Sequence, residues 1–113
     1  MDTQAEARIM KAYNKLVRDK IPDIIRDKGE IANTKKLNDT EFFDTLNHKL
    51  KEEVDEYFED YSVEELTDIV EVIYAIARHR GLSINDFEKI RKKKLDERGG
   101  FEDRVLLIGV EEQ

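Results

Sequence analysis

Nine carboxylates fall within the seventeen residues EEVDEYFEDYSVEELTD, Glu52 to Asp68, and the last of them enters the apolar run IVEVIYAIA. Taking an unpaired charge into such a run is costly, so the position of Asp68 needs a reason. Glu53 and Glu56 stand three apart, a spacing that projects two side chains from one helix face. Glu53 also lies three from Leu50 and seven from Leu46, at the edge of an apolar stripe. Glu65 and Asp68 repeat the spacing, with Asp68 four before Val72 and seven before Ala75. Two antiparallel helices joined by a short turn would set E-x-x-E against E-x-x-D beside a shared core. Left alone, such carboxylates repel by roughly 1 kcal/mol per pair at 4 Å in water, and by several times that when partly buried. A hard divalent cation reverses the sign, and donors that are all oxygen suit Mg²⁺ or Mn²⁺.

Plainer roles compete for the same residues. Glu59, Asp60 and Glu64 read as solvated surface. Ser62 to Glu65 spells a capping box that would occupy the Glu65 carboxylate. Asp68 could pair instead with an Arg or Lys from a neighbouring helix.

The elements that must position these acids can be read from caps and periodicity. The chain has 113 residues, 39% hydrophobic and 42% charged, with five Gly, one Pro and no Cys. Such a composition favours helix over turn and fits one domain, residues 13–113, preceded by an extension over 1–12. Met10 is an alternative start. AYNKLVRDKI reads as loop, with Asp19 capping a short helix PDIIRDK that stops at Gly29. Asn38 and Glu41 form a capping box opening a long helix, about Asp39 to Glu59. Its apolar stripe runs through Phe42, Phe43, Leu46, Leu50, Val54, Tyr57 and Phe58. Ser62 opens a second helix ending at Gly81; apolar around much of its girth, it should be central. Ser83 caps a third helix to about Glu97, ended by Gly99-Gly100, and RVLLIGV reads as a short strand or a tail packed on a neighbour. The fold expected is all-α: a bundle of two long antiparallel helices plus shorter ones, completed by oligomerisation, with a short C-terminal extended segment.

A net charge of −7 argues against a nucleic-acid polymer as partner. The absence of Cys removes disulfides and thiolate zinc sites. The N-terminus lacks the apolar core of a signal peptide, and no apolar run is long enough to span a membrane, so a cytoplasmic location is expected. His48 and His79 read as surface residues.

The paired acidic motifs, together with YNKLVRDKIPDII, HKLKEEVDEY, ELTDIVEVIYAIA and KKKLDERGGFEDRVLL, resemble the MazG-like all-α NTP pyrophosphatase superfamily. The similarity is to its small phosphoribosyl-ATP pyrophosphohydrolase-like branch, and it covers about Tyr13 to Leu107. One departure is the spacer of eight residues between Glu56 and Glu65, which leaves little room for a substrate loop. The resemblance implies hydrolysis of a nucleoside triphosphate between its α and β phosphates, giving monophosphate and pyrophosphate. It implies Mg²⁺ held by Glu53, Glu56, Glu65 and Asp68, with Mn²⁺ as a substitute. Glu52, beside the first ligand, would bind a further ion or position the attacking water, so Glu52 and Glu53 are the catalytic candidates. A metal there would neutralise phosphates and lower the pKa of bound water.

Phosphates also require cations from the protein. Lys15, Arg18 and Lys20 form one basic group; Lys93, Lys94 and Arg98 form another. Arg clamps phosphate in bidentate fashion and Lys supplies a mobile charge. Lys15, Arg18, Lys94 and Arg98 are the phosphate-binding candidates. The expectation is therefore a house-cleaning nucleotide pyrophosphohydrolase, a homodimer or homotetramer. Its alternatives are phosphoribosyl-ATP hydrolysis in histidine synthesis and a non-catalytic acidic helical interaction module.

Overall fold

Helix boundaries follow the caps closely. The computed structural model describes residues 10–112, so most of the extension expected over 1–12 lies outside the described residues. Four helices appear among the described residues: α1 (Ile21–Asp27), α2 (Asp39–Asp60), α3 (Val63–His79) and α4 (Ile84–Arg98). No strand occurs among the described residues, and no helix is long and apolar enough to cross a membrane.

At α2 the Asn38 side chain accepts from the Glu41 amide at 2.9 Å, and the Glu41 carboxylate accepts from the Asn38 amide at 3.2 Å. Two of the orphan donors of the first turn are thereby satisfied. Ser83 and Asp86 build the same reciprocal box at α4. Past α3, Gly81 takes φ 87°, a conformation that disfavours a side chain, and its amide donates to the Arg78 carbonyl at 3.0 Å. The expectation for α1 needs correction: Lys20, not Asp19, occupies the cap position, and no side chain caps that helix. Pro22 sits in its first turn, where a missing N–H costs nothing.

Helix α3 is central, packing against α2 on one side and α4 on the other. Leu46 of α2 (2% exposed) and Ala77 of α3 are the fully buried apolar residues among those described. At one end of the pair, Phe43 stacks on His79 with centroids 5.2 Å apart, and Phe42 meets the same ring edge-on at 5.7 Å. His79 is therefore half-buried in an aromatic cluster, not a surface residue as its last-turn position suggests. The apolar stripe of α2 ends at Tyr57, because Phe58 turns outward with Tyr61. RVLLIGV is not a strand. It is an exposed segment without regular structure, since β-branched residues need a partner strand before they can form a ladder.

Candidate metal centre

The acidic pairs of α2 and α3 meet near the short link Tyr61-Ser62. Tyr61 takes the left-handed conformation, φ 55° and ψ 29°, and its amide still donates to the Tyr57 carbonyl at 2.7 Å. Cap chemistry at this link decides what Glu65 can do. The Ser62 hydroxyl accepts from the Glu65 amide at 3.3 Å, yet the Ser62 amide donates to Asp60 at 3.0 Å. Asp60 thus takes the donor that a complete capping box would give to Glu65, and the Glu65 carboxylate is released toward α2.

One oxygen each from Glu53, Glu65 and Asp68 lies within 4.8 Å of the others, and Glu52, Glu53 and Glu56 form a second such group. Glu53 belongs to both and is only 6% exposed. Its Oε2 and the Oε2 of Glu65 are buried without a hydrogen-bond partner. Buried carboxylate oxygens are ordinarily satisfied, so two orphans side by side are unusual.

Three cations reach the cluster. Arg18 Nη2 donates to Asp68 Oδ1 at 2.6 Å, Lys15 lies 3.3 Å from Glu52, and Lys49 reaches Glu52 at 3.4 Å and Glu53 at 3.1 Å. Five carboxylates against three cations leave a formal excess of two negative charges. This shortage shifts the carboxyl groups. Burial, followed by the charges of Glu56, Asp68 and Glu53, pushes the Glu65 carboxyl up from its ordinary value. Burial and then contact with Glu53 do the same to Glu56. Burial also pushes on Glu52, but the hydrogen bond from Lys15 and the charges of Lys49 and Lys15 outweigh it and hold this carboxyl low.

Glu52, Glu53, Glu56, Glu65, Asp68, Lys15 and Arg18 therefore converge. Lys94 and Arg98 do not: both are exposed on α4 and form no ion pair with the cluster within the chain. The α4 cations project elsewhere because α4 packs on α3 and shows no comparable packing against α2. Sequence reasoning passed over Lys49, whose spacing of three and four from Glu52 and Glu53 is the usual signal of a helical ion pair. Burial pushes the Lys49 ammonium down, but its hydrogen bond to Glu53 and the neighbouring acids outweigh that and raise it. Asp60 is exposed, as a solvated surface residue should be, and its further role at the Ser62 amide depends on the geometry of the link.

Among known proteins, no family model, no curated relative and no solved structure matches this chain.

The donor set is a fit for a hard divalent cation: oxygen only, excess negative charge, and buried oxygens without partners. Glu53, Glu56, Glu65 and Asp68 are the residues that could hold one.

Proposed function

We propose that the chain is a Mg²⁺-dependent nucleoside triphosphate pyrophosphohydrolase of the MazG-like kind. It would add water across the α–β phosphate bond and release a monophosphate and pyrophosphate, most usefully from non-standard nucleotides. The observation that carries this reading is the pair of buried, unpartnered oxygens on Glu53 and Glu65 beside Asp68. The reading takes α2 and α3 as an antiparallel pair. Contacts at both ends support it, Phe43 with His79 at one and Glu53 with Glu65 at the other.

The residues divide the work by chemistry. Glu53, Glu56, Glu65 and Asp68 would hold the cation, which when bound supplies charge neutralisation and Lewis acidity. Glu52, kept ionised by Lys15 and Lys49, can orient a water through an acceptor oxygen. Arg18 spends its guanidinium on Asp68 in the absence of ligand. Once Asp68 is otherwise neutralised, the same planar fork is free to take a phosphate, which it can bind bidentately. Lys15 stays on Glu52 and adds its positive charge beside the phosphates.

The test is pyrophosphate release from a panel of canonical and modified nucleotides, phosphoribosyl-ATP among them, with Mg²⁺ or Mn²⁺. It is run beside Asp68→Asn. Metal-dependent release abolished by the substitution supports the reading; no release from any nucleotide, with no tight cation binding, overturns it.

One observation favours a second reading, a non-catalytic acidic interaction module. Lys94 and Arg98 stay away from the cluster, so the chain alone gathers fewer free cations than a triphosphate would use. Titrating a basic peptide against the protein separates the two, because a module binds it without needing a divalent cation.

A further inference from the structure

Beyond the carboxylate cluster the chain carries an apolar arm and an apolar groove, and neither is filled. The arm follows α4. Gly99 leaves the helix at φ 82°, a turn closes with the Arg104 amide donating to the Phe101 carbonyl at 3.2 Å, and Arg104 itself is left-handed at φ 57°. These bends aim the segment Val105–Val110 outward, where Leu106 is 84% and Ile108 95% exposed. The groove lies between Leu50 of α2, Ile73 and Ile76 of α3, and Phe87 and Ile90 of α4, with a volume of about 360 Å³ and Arg80 at its rim.

We propose that the arm of one copy lies in the groove of a second copy, and that the exchange is reciprocal. Three observations select this occupant. Val105, Leu106, Leu107, Ile108 and Val110 of the arm are each at least 74% exposed. Covering this apolar run together with the groove would supply much of the roughly 800 Å² per partner of a stable interface. Charge is complementary: Arg80 stands at the rim of the groove, and the arm ends in Glu111 and Glu112. Geometry points away from the chain's own groove, because Phe87 and Ile90 sit near the start of α4 while the arm leaves from its end. A groove and an arm on every copy close as a twofold pair, leaving neither exposed.

The absence of native cysteine makes a clean test. Chains carrying Leu107→Cys are mixed with mass-tagged chains carrying Ile90→Cys, unfolded together, refolded and oxidised. A mixed disulfide-linked pair is expected. Sedimentation of the full native chain should show a dimer whose dissociation constant rises tenfold or more in Ile108→Asp. Arg80→Glu should weaken it similarly, and Glu111→Arg with Glu112→Arg should restore it. These positions are exposed, and helical content by circular dichroism confirms that each variant folds. A native chain that sediments as a monomer at tens of micromolar overturns the proposal. So does a Leu107→Cys, Ile90→Cys double variant that closes only within one chain, which would mean that the arm folds back on its own groove.

Discussion

Arg18, in the segment before α1, donates a 2.6 Å hydrogen bond to Asp68 in α3, across fifty residues of chain. The Asp68 side chain is 41% exposed, so the pair is screened and contributes at most about 1 kcal/mol to stability. Its importance lies in competition: Arg18 occupies the carboxylate that a divalent cation would use. Arg18→Ala should therefore leave the thermal midpoint nearly unchanged and tighten Mn²⁺ binding in the absence of nucleotide. Turnover should fall about ten- to a hundredfold, equivalent to the roughly 1.5–3 kcal/mol of a charged hydrogen bond. Calorimetry and pyrophosphate release check the two halves separately.

Divalent cation and pH should act together. Glu56 and Glu65 titrate above their ordinary range, so the folded protein holds protons more tightly than the unfolded chain. Without cation, their contribution is fully favourable at low pH and declines as pH rises from the ordinary carboxylate range through the raised values. The gain in thermal midpoint on adding Mg²⁺ should then be larger at pH 8 than at pH 5. Glu65→Gln should raise the cation-free midpoint at pH 8 while removing most of the response to Mg²⁺. A variant as cation-responsive as the parent would show that Glu65 is not a ligand.

The opposite sign holds on α4. Glu88 accepts from the Tyr74 hydroxyl at 2.7 Å and from Arg91 at 2.6 Å, and these bonds hold its carboxyl below the usual range. Its stabilising contribution is present above the ordinary carboxylate pKa and is lost as pH falls through the depressed value. Glu88→Gln should destabilise at neutral pH, and its difference from the parent in urea unfolding should shrink as pH falls toward the depressed value.

Among the described residues Leu46 is the most deeply buried apolar side chain, and few others are buried. Leu46→Ala should cost about 2–5 kcal/mol, the usual range for a buried leucine. A lowered urea midpoint followed by circular dichroism would show it, and an unshifted midpoint would mean that the core lies elsewhere.

What could be read from the sequence was mostly local. Asn38 with Glu41, and Ser83 with Asp86, declare helix starts within four residues, and both helices begin where those pairs say. The meeting of Glu53 with Glu65 and Asp68 was legible because helical spacing and a short link constrain it. The pairing of Arg18 with Asp68 carries no local signal, since any of several cations could fill that role. Asp60's capture of the Ser62 amide depends on the left-handed turn at Tyr61, which composition does not announce. His79 deceived because a last-turn histidine is commonly solvated, and only packing against Phe42 and Phe43 buries it. Of the two readings of RVLLIGV only the strand fails, since strand-forming residues make no strand when the described residues offer no partner.

The link Tyr61-Ser62 has a kinetic consequence. Because only eight residues separate Glu56 from Glu65, their encounter belongs to the short-range contacts that form early when a chain folds. Repulsion among the carboxylates is then felt on the way to the native state and not only within it. A divalent cation should therefore accelerate refolding as well as retard unfolding, lifting the low-denaturant arm of the chevron, whereas Leu46, closed off by the pairing of α2 with α3 farther from the link, should act mainly on the unfolding arm.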